Sequence, residues 1–272
     1  MSKKHLFLLI FFMAFKGLDA QINIEVYFEK LSDGYNIYVD NYEYCPISLK
    51  INFTTSNLDT RGGNNRIYVV RALQKRALVT KLRIVNRYLS YQFNYTYTVN
   101  YGDHFDKKYD ENYIYNLPFP KHQPYEVSQG YNGDISHQNE NYLDFKMPIQ
   151  TKIYAIRSGV VVKVVDYNFK NCIEKECQKY NNYILVYHSD GTFADYAHIM
   201  TKGSVVARGD KVKKGDLIGY SGNVGWSSGP HLHLGIFLQK LFKRKTLKTK
   251  FYTNNGELSE YLVEKNKYVK EY

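Results

Sequence analysis

Apolar and polar residues alternate with a period of two through much of the chain, the spacing of a half-buried strand. Ile22-Asn23-Ile24-Glu25-Val26-Tyr27 begins the pattern, and Tyr35 to Val39 resumes it after a Ser-Asp-Gly turn at 32–34. Ile47, Leu49, Ile51 and Phe53 share one face, and Tyr91 to Val99 alternates aromatics with threonines. Residues 67–85 fit a helix about as well as two strands. Short strands at this spacing predict a β-sandwich-like domain over residues 21–118. Pro118, Pro120 and Pro124 cluster inside an irregular stretch, 101–127, that reads as linker. A second β-rich domain, sheet-like or barrel-like, is expected over 119–240. Its strand signals are Ile153 to Val165, broken at Ser158-Gly159, and two runs, Tyr183 to His188 and Thr192 to His198, around the hairpin turn Ser189-Asp190-Gly191. Residues 241–272 are polar with short apolar runs, suited to a last hairpin or a packed tail. The fold class expected is all-β.

Composition supports that class. Aromatics make up 16% of the chain, 28 of them tyrosines, and Tyr and Phe fit pleated, half-buried surfaces. The same tyrosines would serve either as sandwich-face packing or as sugar-stacking platforms. Residues 1–20 carry a secretory leader pattern: Lys3 and Lys4, an apolar run from Leu6 to Phe15, then Leu18-Asp19-Ala20 as cleavage site. The run is too short to span a membrane, which takes about 20 residues. Cleavage after Ala20 would leave a secreted or periplasmic chain starting at Gln21, with no transmembrane anchor. The net charge is +11, and +9 once three lysines and one aspartate leave with the leader. A basic exported chain is drawn to anionic surfaces such as a cell wall. No nucleic-acid motif accompanies the charge, so nucleic acid is not expected as a partner. Cys172 and Cys177, five residues apart in a polar loop, can close a disulfide in an oxidising compartment, leaving Cys45 as a buried thiol.

The chemistry concentrates in histidines. His231-Leu232-His233-Leu234-Gly235-Ile236 alternates strictly, so on a strand both histidines share one face, about 6–7 Å apart. Leu232, Leu234 and Ile236 then point into the core. In Asn141-Tyr142-Leu143-Asp144-Phe145-Lys146, Leu143 and Phe145 face inward and Asp144 faces the open side. His137 precedes Asp144 by seven residues. His137, Asp144 and His233 form a three-ligand set that leaves a fourth coordination position open, as catalytic zinc requires. His104, His122 and His188 have no such companions, and His188 has the look of a structural residue at a strand end. The chain has neither a HExxH helix nor a GxSxG elbow.

These segments resemble the lysostaphin/LytM-type zinc peptidases that cut peptide bonds in peptidoglycan. The resemblance covers about residues 128–240. It rests on GYNGDISHQNENYLDF (130–145), TKIYAIRSGVVVKV (151–164), Tyr196-Ala197-His198 and GDKVKKGDLIGYSGNVGWSSGPHLHL (209–234), in that order. It implies Zn2+ held by His137, Asp144 and His233, with His198 and His231 as the catalytic histidines, and peptidoglycan peptides as substrate. The family most often places three residues between the first histidine and the aspartate; here there are six. Three other functions fit parts of the sequence: an inactive wall-binding or activator module, a secreted peptidase of glycine-rich proteins, and a biotinyl- or lipoyl-type carrier suggested by GDKVKKGDLIG. Oligomeric state and the role of residues 21–127 have no motif to read.

Overall fold

The computed structural model describes residues 22–272; the expected leader, 1–20, lies outside the described residues. Seven strands come first: β1 (Ile24–Leu31), β2 (Gly34–Asn41), β3 (Ile47–Ser56), β4 (Leu58–Arg61), β5 (Ile67–Val70), β6 (Ala77–Ile84) and β7 (Gln92–Tyr101). They form two sheets, ordered β1-β2-β6-β4 and β5-β3-β7, packed as a sandwich. Alternation explains the register: Ile47, Leu49, Ile51 and Phe53 of β3 are buried against Ile37, Val39 and Leu82 of the other sheet. The ambiguous stretch 67–85 is two strands. β6 pairs on both edges, with β2 and β4, and this tertiary pairing overrides the helix-compatible spacing.

The regular structure of the remainder is also nearly all strand: β8 (Ile114–Tyr115), β9 (Pro124–Gln129), β10 (Tyr142–Lys146), β11 (Lys152–Tyr154), β12 (Gly159–Val165), β13 (Asn171–Cys172), β14 (Tyr183–Tyr187), β15 (Thr192–Ala197), β16 (Ile199–Ser204), β17 (Lys211–Val212), β18 (Leu217–Ser221), β19 (Gly225–Trp226), β20 (His231–Gln239), β21 (Arg244–Thr246), β22 (Lys250–Thr253), β23 (Leu258–Glu260) and β24 (Lys267–Val269). The all-β class is borne out. A nine-stranded sheet dominates, in the order β17-β12-β14-β15-β20-β10-β9-β24, with β21 beside β20. One face of it carries Val161, Ile184, Val186, Ala194, Tyr196, Leu232, Leu234 and Ile236 into the main core, which also takes in Ile153, Ile199 and Ile218 from the small β11-β18-β16 sheet. Tyr115, Leu117 and Phe119 join this core, so the proline-rich stretch is packed against the second domain and is no loose spacer. The polar tail is packed too: β24 extends the large sheet at β9. Among the described residues no helix is long and apolar enough to cross a membrane.

The sandwich docks on the opposite face of the large sheet. Cys45, flanked by Tyr44 and Tyr101, packs on Val162, Leu185, Phe193 and Phe237. Cys45 is free and buried, while Cys172 and Cys177 form a disulfide, as their spacing suggested. Glu43, only 2% exposed, is held by Arg208 Nη2 at 2.9 Å across the junction and accepts the Asn23 amide at 2.6 Å. Removing the cation strands a buried carboxylate, which costs about 1–3 kcal/mol. Arg208→Ala should therefore lower stability by that amount in urea unfolding, while Arg208→Lys recovers part of it.

Candidate active site

The site is set by one strand pair. β10 runs antiparallel to β20 with Asp144 directly opposite His233. Because side chains alternate, Leu143, Phe145, Leu232 and Leu234 go to the core, and Asp144, His231 and His233 go to the other face. β15 lies on the far side of β20, with Ala197 opposite His233, and the chain then turns at His198. His198 has φ +62°, a left-handed conformation uncommon outside glycine, which redirects its ring into the same cleft. His137 comes from the loop between β9 and β10 and is fully buried.

His137 Nε2 lies 3.3 Å from His233 Nδ1 and 3.4 Å from Asp144 Oδ2; His233 Nδ1 lies 2.9 Å from Asp144 Oδ1. A tetrahedral ion with bonds of about 2.0–2.1 Å holds its ligand atoms roughly 3.3 Å apart; the His137–His233 spacing matches this, and one ligand atom from each of the three residues lies within 4.8 Å of the others. The donors are prepared for one. His137 Nδ1 donates to Gly130 O at 2.9 Å, which leaves Nε2 bare and facing His233. Gln129 Nε2 donates to Asp144 Oδ2 at 2.9 Å, leaving Oδ1 available. The Tyr142 ring lies over His233 with centroids 4.5 Å apart, and it rests where a side chain on Gly235 would stand. Without an ion the charges settle among themselves. Burial raises the Asp144 carboxyl, but bonds from His137 and His233 outweigh it and hold it well below the usual carboxylate range. Burial lowers His137, but its bond to Asp144 prevails and leaves it above the ordinary histidine value.

His198 and His231 stand beside this trio without joining it. Their rings are 4.5 Å apart, and His231 Nε2 is 3.8 Å from Asp144 Oδ1. His198 Nδ1 donates to Val224 O and His231 Nδ1 to Gly229 O, each at 2.8 Å. Burial, with His231 and His233 close by, drives His198 down to about 3, so it is neutral at physiological pH. All five residues singled out in the sequence thus meet in one place. They line or underlie a cleft of about 570 Å³ whose lining also includes Ile135, Tyr142, Ile173 and Trp226. The cleft is lined from Ser128 onward, and the sandwich supplies none of its lining.

Residues 138–248 match the family model of peptidase family M23. The M23 segment includes Asp144, His198, His231 and His233 and begins one residue after His137. The resemblance read from the sequence is borne out. An uncharacterized metalloprotease of Buchnera aphidicola subsp. Baizongia pistaciae is 30% identical over 241 residues, 84% of this chain and 60% of that protein. The peptidoglycan DD-endopeptidase ShyA of Vibrio cholerae is 32% identical over 103 residues, 36% of this chain and 20% of that protein. The chain therefore spans three fifths of the first relative's length and one fifth of the second's. Among solved structures, lysostaphin from Staphylococcus simulans is 30% identical over 45% of this chain and 47% of its own, with a TM-score of 0.36.

Several parts of the site had no sequence signal. Gln129 organises the His137 loop by accepting the Ile135 and Ser136 amides, yet it reads as an ordinary strand-end residue. Tyr142 was within reach, since it lies two residues from Asp144 on the same strand face. If the trio holds the metal, His137→Ala, Asp144→Ala or His233→Ala should strip most bound metal, whereas His198→Ala and His231→Ala should keep it. Metal content per chain by atomic emission checks this. Retention should also fail as pH is lowered, since His137, raised above the ordinary value, must be deprotonated to bind.

Proposed function

We propose that this chain is a secreted, zinc-dependent endopeptidase that hydrolyses peptide bonds in bacterial peptidoglycan, in the stem peptide or the cross-link. The observation that carries it is the convergence of His137, His233 and Asp144, with one ligand atom of each within 4.8 Å of the others, beside two further histidines in an open cleft. Two imidazoles and a carboxylate are a donor set suited to catalytic zinc. Zinc at such a site supplies Lewis acidity, polarising the scissile carbonyl and lowering the pKa of water to about 7. The substrate class follows the Vibrio cholerae relative, whose name gives it as a peptidoglycan DD-endopeptidase. The excess of lysine and arginine suits an anionic wall, and the Cys172–Cys177 disulfide suits an oxidising compartment, in line with the leader pattern of residues 1–20.

The chain's own residues handle protons and position. Val224 and Gly229 hold His198 and His231 with the proton on Nδ1, so each presents a bare Nε2. A neutral imidazole so placed accepts a proton from the attacking water. Once protonated it donates to the tetrahedral oxyanion or to the leaving amine. Such roles are typically worth about 10²–10⁴ in rate. Burial lowers the basicity of His198, so it suits holding and orienting the water through its bare Nε2 more than taking up its proton.

Digestion of purified peptidoglycan by the protein without residues 1–20 tests the proposal. New amino and carboxyl ends inside peptides, identified by mass, are expected. Release of sugar fragments alone would refute it. His198→Ala and His231→Ala should each lose about 10²–10⁴ of the rate, and the double variant should be little worse than the poorer single one, because groups acting as a unit are not additive.

A further inference from the structure

The carbonyls that orient His198 and His231 belong to one loop, residues 222–230. Ser227 Oγ stands 3.2 Å from His231 Nδ1 and also bonds Asn223 Oδ1 and Gly229 O, knitting the loop around that ring. Most of the loop has no strand of its own beyond the two residues of β19. It leans instead on residues 170–181. Gly225 N donates to Lys170 O at 2.8 Å, and Ser227 N donates to Cys172 O at 3.1 Å. Trp226 donates twice, from its backbone to Asn181 Oδ1 and from its indole Nε1 to Ile173 O, each at 2.9 Å. Gly225, at φ +91°, sits so close that a Cβ there would come within 1.9 Å of Asn181 Oδ1.

The bracing segment is itself slight. It consists of β13, a short 3-10 turn over Lys175–Tyr180, and the Cys172–Cys177 disulfide that ties one to the other. Cys172 is therefore both a disulfide partner and the residue whose carbonyl receives Ser227. Cys177 is buried, so the tie anchors β13 to a fixed point. The metal trio is supported from elsewhere, by Gly130 O, Gln129 and the β10–β20 pair.

The geometry points to the Cys172–Cys177 disulfide as a positioning element for catalysis: it holds residues 171–181 against loop 222–230, and so keeps Val224 O and Gly229 O where they orient His198 and His231. It acts on the proton-handling pair and leaves metal binding alone. The inference rests on the catalytic roles proposed above for those histidines.

The test compares the full chain with the Cys172→Ser/Cys177→Ser double variant, measuring metal content, kcat and KM on peptidoglycan peptides, and imidazole Nδ1–H resonances of the metal-free protein. Metal content should match the parent. A misplaced catalytic group costs up to about 10²-fold, so kcat should fall about tenfold or more. KM should stay within about threefold, the pattern of a lost transition-state interaction. The Nδ1–H signals of His198 and His231 should lose protection from exchange, while that of His137, held by Gly130 O, persists as the internal control. Trp226→Phe removes the indole bond to Ile173 but also trims the cleft wall, so it is read by the Nδ1–H signals alone, where a smaller loss of protection is expected, and it carries the test if the serine pair does not fold. Parental kcat, a rise in KM alone, or loss of metal would each overturn the inference. If the parent itself binds metal but hydrolyses nothing, the peptidase reading fails, and the Nδ1–H signals of the metal-free protein alone decide whether the disulfide braces the loop.

Discussion

Everything in the site hangs on the register between β10 and β20. Asp144 faces His233, and the period-two pleat sends their neighbours Leu143, Phe145, Leu232 and Leu234 into the core. A slip of one residue would place two histidines and a carboxylate among aliphatic side chains and expose the leucines. The burial of those leucines is thus the force that aims the ligands. For Asp144 and His233 the geometry needs no separate folding code, because hydrophobic alternation already specifies that they reach the open face; His137 is brought to them by its loop.

That is also why so much was legible beforehand. The strands of the sandwich, the hairpin at Ser189-Asp190-Gly191 and the outward face of His231 and His233 follow from alternation alone. The meeting of His137, Asp144, His198, His231 and His233 came from motif order. What alternation cannot carry is anything decided by backbone atoms or by a partner far along the chain. The carbonyls of Gly130, Val224 and Gly229 have no sequence identity as acceptors, and any residue there would offer one. Gln129 acquires its role only because the loop carrying His137 folds back onto it. Residues 67–85 stayed ambiguous because the pairing that makes β6 a strand is made with β2 and β4, distant in sequence.

The histidines divide into two mechanical groups. His137 and His233 are set by strand pairing and a buried loop, and they change little unless the sheet does. His198 follows β15 and His231 opens β20, but the ring orientation of both is set by a loop that borrows its rigidity from its neighbour. His198 adds a left-handed backbone, a conformation that costs of order 1–3 kcal/mol for a residue other than glycine and persists where the surroundings impose it. Hydrogen bonds from Gly222 N to His198 O and from His198 Nδ1 to Val224 O supply that imposition.

The face of β20 that carries His231 and His233 continues to Phe237, where the sandwich is seated. Phe237 lies four positions beyond His233, about 13 Å along the strand. The sandwich leaves the cleft open, but it ends the open face on that side like a wall at the end of a bench. Between His233 and Phe237 the face is already roofed: the Tyr142 ring lies over Gly235, and Arg244, paired with Asp195, lies over Phe237. On the opposite side, past His231, the sandwich sets no such stop. The two domains together thus leave the cleft one closed end, at Phe237, while its lining continues past His233 and His231 to Pro230, Gly229 and Trp226.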